Sequence, residues 1–322
     1  MKKTAISHPN IAFIKYWGNR DDSLRLPSNG SISMNLSALE THTTVEIDSE
    51  IQSDCLTINK LEQQGNALVR VTDFMDILRE MSGKNAFSRI YSITNFPQSA
   101  GVASSAAAFS ALALAGSKAY GLDLSEKALS ILARRGSGSA SRSIPNGFVE
   151  LMASDKSEES FAKSIASADH WQLWDCVAIV TKEAKKIGST EGHSAAYTSP
   201  FQPARVQDAP RRLNLCREAL LKKDFNALAE IIELDSNMMH SVMMTSRPSL
   251  MYWTSHSLEI MQKVILWRHE GIAAAYTLDA GSNVHVICTD ESIHMIKNRL
   301  EGMPFVEKVL ASCVGSGAKL LD

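Results

Sequence analysis

The sequence predicts an α+β fold, and three observations carry that expectation. Strand-like and helix-like segments are mixed without the regular strand–helix–strand alternation of a doubly wound sheet. Residues 5–60 read as strands and turns alone, whereas residues 206–242 read as one long helical stretch. An apolar share of 44% in 322 residues supports a full core, enough for one large domain or two intimate lobes. No linker marks a boundary. A change of composition near residue 180 divides the chain into 1–180 and 181–322.

The elements follow in order. "LRLPSNGSIS" (24–33) carries turn chemistry, and "THTTVEIDSE" (41–50) alternates through Val45 and Ile47 as a half-buried strand does. A helix is expected over 71–82, stopping at Gly83. The strand "SRIYSITNF" then leads into a helix of small residues that ends at Gly121. Asp123 and Glu126 form a D-x-x-E capping pattern for the next helix, which ends before Gly136. "FVELMA" and "CVAIVT" read as strands. Residues 256–270 form an amphipathic helix with Ile260, Val264 and Trp267 on one face. "AAAYTLDAGSNVHVICT" (273–289) reads strand–turn–strand, followed by a helix over about 291–301.

Composition excludes several function classes. A formal charge of −2 argues against a nucleic-acid binder, which normally shows a basic face. "MKKTAISHPN" lacks the apolar stretch of a signal peptide, and no segment is apolar enough for a membrane span. Five scattered cysteines suit reduced thiols in the cytoplasm. Nine histidines form no His/Cys cluster, so a metal is expected to be Mg²⁺ held through phosphates.

"NFPQSAGVASSAAAFSALALAG" (95–116) sets a loop with Pro97 and Gly101, places Ser104 and Ser105 where a helix begins, and then continues in alanine. Two readings stand side by side. Small residues permit close helix packing, and they also leave the N–H groups of a helix start open to an anion. "NIAFIKYWGNRDD" (10–22) puts Lys15, Tyr16 and Trp17 at the end of an apolar strand, where a lysine is ordinarily solvated. "RRGSGSASRS" (134–143) combines glycines, serines and Arg142, a set suited to an anion but equally to a polar loop. "KKIGSTEGH" (185–193) is another such loop, and "LDAGSN" places Asp279 between a strand and a glycine turn. Several phosphate-suited loops in one nearly neutral chain point to a phosphorylated substrate together with a nucleotide.

Together these passages, with "DSNMMH" (235–240), resemble the diphosphomevalonate decarboxylases of the GHMP small-molecule kinase superfamily, and they do so in the family's order. The resemblance implies a two-lobed GHMP kinase fold, with a ribosomal-S5-like N-terminal lobe that binds ATP and a cleft between the lobes. It implies ATP and Mg²⁺ as cofactors, a small-molecule substrate of the mevalonate pathway of isoprenoid synthesis, and a homodimer. Ala100, Gly101, Val102, Ala103, Ser104 and Ser105 would cradle the ATP phosphates, with Ser104 or Ser105 near the metal. Asp279 would lie against the substrate's tertiary hydroxyl, Lys15 would keep that acid ionised, and Arg142 would orient the carboxylate. Tyr16, Asn19, Arg70, Ser137, Ser139, Ser189 and His193 match substrate positions, mostly at the phosphate end.

Two positions depart from the family pattern. Asn19 stands where a lysine is usual, and His193 where a methionine is usual; both positions lie near the substrate's phosphate tail in the family. Arg20, Tyr16 and Arg70 are candidates to make up the lost charge. The expected reaction is ATP-dependent decarboxylation of diphosphomevalonate. The alternatives are the same chemistry on phosphomevalonate, phosphorylation of the 3-hydroxyl without decarboxylation, and a catalytically dead nucleotide-binding protein.

Overall fold

The computed structural model of the chain describes residues 1–96, 104–180 and 188–321, without the side chains of 189 and 190. Ala100, Gly101, Val102 and Ala103, expected to cradle phosphates, lie outside the described residues. One sheet runs, in spatial order, Lys319–Leu320 (β16), Lys2–Ser7 (β1), Thr41–Asp48 (β6), Phe87–Thr94 (β9), Cys55–Ile58 (β7) and Leu61–Gln63 (β8). Its pairs are antiparallel except β7 with β9. A second, antiparallel sheet orders Ala162–Ala166 (β11), Phe148–Leu151 (β10), Ser31–Asn35 (β5) and Asn10–Ile14 (β2). A third, also antiparallel, orders Ala274–Thr277 (β13), Val284–Thr289 (β14), Leu173–Ile179 (β12) and Lys308–Cys313 (β15). Asn19–Asp21 (β3) and Leu26–Pro27 (β4) form a small hairpin. This is the α+β architecture the sequence predicts.

The helices refine that expectation. The first, Asn66–Ser82 (α1), starts earlier than residue 71 and ends at the left-handed Gly83, φ 66°. Ser104–Ala119 (α2) carries the small residues. Glu126–Gly136 (α3) is capped not by Asp123 but by Ser125, whose hydroxyl accepts from Ala128 N–H; Asp123 instead pairs with Lys118. Ser189–Ala195 (α4) is short. The long stretch expected over 206–242 is two helices, Gln202–Lys222 (α5) and Phe225–Thr245 (α6). Lys223 turns left-handed at φ 55°, and Asp224 caps the second helix through Ala227 N–H, so α5 and α6 pack as a hairpin. Ser255–His269 (α7) begins in a capping box at Thr254 and buries Ile260, Val264 and Trp267, as expected. The last helix is Ile293–Glu301 (α8).

Packing answers part of the small-residue question. Helix α2 lies across β1 and β6, with Ala106, Ala107, Ala111, Ala113 and Ala115 fully buried. Ser110 Oγ meets Ser7 Oγ at 2.6 Å, and a Cβ on Gly116 would lie 2.6 Å from Leu78. Close packing therefore explains the body of the helix. A second core joins the other two sheets: Ile11, Phe13, Ile32 and Phe148 share one cluster with Val177, Ile179, Ile287 and the α5–α6 residues Cys216, Leu220 and Ile232.

Ala113→Leu tests that contact. Added methylenes between α2 and the first sheet are expected to lower unfolding stability by about 1–3 kcal/mol in urea denaturation. An unchanged midpoint would mean that the alanines are not in close contact.

Candidate active site

Strand β2 is buried along its whole length and delivers Lys15 to its end. That lysine is not solvated, as strand-end lysines ordinarily are, but 1% exposed. Its backbone N–H donates to the Asp235 carboxylate at 3.2 and 3.3 Å, and its carbonyl accepts from Arg205 at 2.7 Å and Asn29 at 3.0 Å. Its ammonium donates to Asp279 Oδ1 at 2.7 Å. Asp279 follows β13, and Leu278 N–H before it donates to Ser236 Oγ at 3.0 Å. Consecutive residues of α6, Asp235 and Ser236, thus fix both halves of the Lys15–Asp279 pair. The Asp279 side chain is 25% exposed, against 2% for that of Lys15.

Arg142 sits on a 3₁₀ turn, Gly138–Ser143, where the sequence suggested a loop. The guanidinium is buried and held by neutral acceptors. Nε donates to Asn10 Oδ1 (3.2 Å) and Ser33 Oγ (3.1 Å), Nη1 to Ser31 Oγ (2.7 Å), and Nη2 to Asn10 Oδ1 (3.0 Å). Burial pushes it down to about 10, and the Asp279 carboxylate is the chief charge opposing that shift. Among the described residues no carboxylate pairs with it directly. A buried cation held this way is prepared for an anionic ligand.

A row of hydroxyls links the start of α2 to this turn. Ser105 Oγ lies 3.1 Å from Ser137 Oγ, which lies 3.2 Å from Ser139 Oγ. From Ser104 to Ala108 the helix start carries nothing larger than serine, leaving its first N–H groups unfenced. Among the described residues no cluster of His, Cys, Asp or Glu offers a metal site. Serine and phosphate oxygens are the donors a hard cation such as Mg²⁺ takes, so the residues present fit an ATP–Mg²⁺ complex.

The expected phosphate end is rearranged. Tyr16 is buried, and Gly138 lies so close that a Cβ there would sit 2.2 Å from the phenol ring. Asn19 does not present a free amide: its carbonyl accepts from Tyr16, and its NH₂ donates to Asp22 at 2.6 Å. Arg20 points elsewhere, to Asp155 and to the Ser28 carbonyl. His193 packs against Tyr16 and Trp17 at ring distances of 4.3 and 4.5 Å. Its Nδ1 accepts from Gly18 N–H at 3.0 Å, leaving its proton on Nε2. Burial pushes it down to about 3, with Arg25 the foremost neighbouring charge, so it is neutral at physiological pH. Arg70 stacks on Phe109 at 5.1 Å and donates to Gly136 O at 3.2 Å, next to Ser137. Ser189 begins α4, and its side chain lies outside the description.

Two family models match the chain. The diphosphomevalonate decarboxylase-like N-terminal domain covers residues 7–162, and the mevalonate 5-diphosphate decarboxylase C-terminal domain covers 176–318. The chain belongs to the diphosphomevalonate decarboxylase family. The diphosphomevalonate decarboxylase of Candida albicans is 38% identical over 91% of this chain and 85% of its own length; the human enzyme is 33% identical over 90% and 77%. The mevalonate diphosphate decarboxylase of Staphylococcus aureus superposes with a TM-score of 0.95 at 33% identity, over 100% of this chain and 98% of that one. A second structure, "MDDEF in complex with MVAPP, AMPPCP and Magnesium", gives 0.94 at 35% identity, over 100% and 99%.

Within that family frame, the structure brings together Lys15, Asp279, Arg142, Tyr16, Ser105, Ser137 and Ser139. Two residues escaped the sequence reading. Asp235 stood inside "DSNMMH" with no role assigned, and Arg25 fell in a stretch read only as a turn.

Acid sensitivity should report on His193. With the folded value near 3 and the ordinary value 6.5, the unfolded chain binds the extra proton between those limits. Stability is therefore full above pH 6.5 and falls as pH drops through that window. His193→Met, which restores the residue usual in the family, is expected to flatten part of the decline in Tm between pH 7 and about pH 4. An unaltered slope would place His193 in solvent.

Proposed function

We propose that this protein catalyses the ATP-dependent decarboxylation of diphosphomevalonate to isopentenyl diphosphate, ADP, phosphate and CO₂. One arrangement carries the reading: a buried arginine held, among the described residues, by neutral acceptors, beside a partly exposed aspartate whose carboxylate is fixed by a buried lysine. Asp279 accepts the proton of the substrate's 3-hydroxyl as that oxygen attacks the γ-phosphorus of ATP and ADP leaves. Lys15 holds the carboxylate in place. The C3–O bond then breaks, releasing phosphate, and the electrons of the bond to the carboxylate form the C2–C3 double bond as CO₂ departs. Arg142 grips the carboxylate and aligns that bond until it breaks.

In this reading Ala100 to Ser105 would line the ATP phosphates and Ser104 or Ser105 would help to hold Mg²⁺, which would neutralise charge on the phosphates. Tyr16, Ser137, Ser139, Ser189 and Arg70 face the substrate's phosphate end. In this reading residues 1–180 form the ATP-binding lobe and 181–322 the second lobe, although β12, just ahead of that boundary, pairs with β14 and β15 of the second. A cytoplasmic homodimer completes the picture. The cytoplasmic setting accords with cysteines that are all free. Phosphomevalonate is the second reading, favoured by Asn19, whose amide is spent on Asp22.

ADP and CO₂ release measured side by side with the mono- and diphosphate substrates tests the reading and ranks the two. Asp279→Asn is expected to keep the fold and ATP binding while lowering substrate-dependent ADP release by about 10²–10⁴-fold. Retention of a tenth or more of the turnover would overturn the role.

Arg142→Lys keeps the charge but not the two-pronged grip. We expect CO₂ release to fall sharply. Near-normal release would reduce Arg142 to a distant positive charge.

A further inference from the structure

The tail end of the site holds a cation that the family pattern does not supply. Arg25 closes the loop between β3 and β4, where Ser23 and Leu24 N–H both bond the Asp21 carboxylate at 2.8 Å. Its backbone is left-handed, φ 49°, an uncommon state for arginine. From there its Nε donates to the Arg135 carbonyl at 3.0 Å. Arg70, on α1, donates to the next carbonyl, Gly136 O, at 3.2 Å. Two guanidinium groups are thus anchored on consecutive carbonyls directly ahead of the Ser137–Ser139 turn.

Like charges held this close repel, and Arg25 is the charge that lowers the pKa of Arg70, after desolvation. Among the described residues neither arginine has a carboxylate partner; of the two acids in the same loop, Asp21 is bonded to Ser23 and Leu24 and Asp22 to Asn19 and Ser194. Tyr16 packs on Gly138, which follows the Arg135 and Gly136 carbonyls in the chain and opens the turn that carries Arg142. A substrate with its carboxylate on Arg142 would therefore direct its other end past Tyr16 toward Arg25 and Arg70.

Resting on the functional reading above, we propose that Arg25, paired with Arg70, binds the terminal phosphate of the substrate's tail and so replaces the cation lost at Asn19. Arg25 is a specificity residue rather than a catalytic one; the charge has moved from the strand end to the neighbouring turn.

Steady-state kinetics with the mono- and diphosphate substrates test this on the full chain. Arg25→Gln is expected to raise KM for the preferred substrate by about 10- to 150-fold, with kcat and the KM for ATP within about twofold. Adding Asn19→Lys to Arg25→Gln should recover most of the loss. An unchanged KM, a loss confined to kcat, an equal rise in the KM for ATP, or no recovery would each overturn the proposal. If the glutamine variant does not fold, Arg25→Lys serves instead, with a smaller KM rise expected and equality with wild type overturning the idea. Thermal shift with inorganic pyrophosphate separates this proposal from the reading beneath it. Wild type that releases no CO₂ sinks that reading. Arginine-dependent protection by pyrophosphate upholds the anion site, and protection equal in Arg25→Gln sinks it.

Discussion

The site depends on one buried carboxylate. Asp235 is fully enclosed and receives Arg212 at 2.7 and 2.8 Å, Arg205 at 3.6 Å and the Lys15 backbone N–H. Arg205 in turn bonds the Lys15 and Trp17 carbonyls and Asn29. Where β2 leaves its sheet, the polar groups of its backbone lose their ladder partners, and this network takes them over. Burying a carboxylate with two guanidiniums is costly in itself, and Arg205 is held down to about 10 for that reason, with Asp235 the main charge opposing the shift. Breaking such a network leaves a charge stranded, a loss of about 3–5 kcal/mol. What the arrangement secures is position. The α5–α6 hairpin grips the strand end through Asp235, Arg205 and Arg212 and holds the Asp279 turn through the neighbouring Ser236.

The remaining charges divide into two kinds. Arg134, equally buried, is spent on the backbone, taking the Leu24, Ser157 and Ser160 carbonyls and the Ser157 hydroxyl. Arg142, by contrast, has hydroxyls and an amide for partners, which satisfy its hydrogen bonds but not its charge. His193 and His240 are both neutral, pushed down to about 3 by burial, so neither adds positive charge to the cleft at ordinary pH. The cleft thus concentrates its positive charge on a few arginines and Lys15 and lines the intervening surface with hydroxyls. Such a surface suits an elongated molecule with an anionic group at each end.

Much of this was legible in the sequence because the family signatures keep chemistry-bearing residues at fixed offsets from strand ends and turns. Lys15 after an apolar strand, Arg142 in a glycine–serine turn and Asp279 before a glycine turn are of that kind. The break inside 206–242 was not legible from periodicity. The apolar spacing runs on past Lys223, and an unaided lysine in the left-handed region has no glycine to announce it. Ser125 outcompeted Asp123 because a cap must directly precede the first helical residue. The partner of Arg20 was not legible for another reason: it lies far off in sequence, at Asp155. Arg25 was missed because its significance comes from carbonyls 110 residues away.

One long-range pairing bears on how the chain reaches this state. Strand β16 closes the edge of the first sheet by setting Leu320 opposite Ala5, and Ala318 N–H bonds the Ser143 and Ile144 carbonyls behind the Arg142 turn. A Cβ on Gly317 would lie 2.2 Å from Ile144 O, so the approach is backbone to backbone. The first sheet therefore lacks one edge, and the Arg142 turn one brace, until residues 318–320 have emerged from the ribosome. Contacts of such separation form late and slowly. A nascent chain halted before β16 would carry the hydrophobic core packed on the first sheet, an open strand edge beside it, and an Arg142 turn that still lacks the Ala318 N–H on its Ser143 and Ile144 carbonyls.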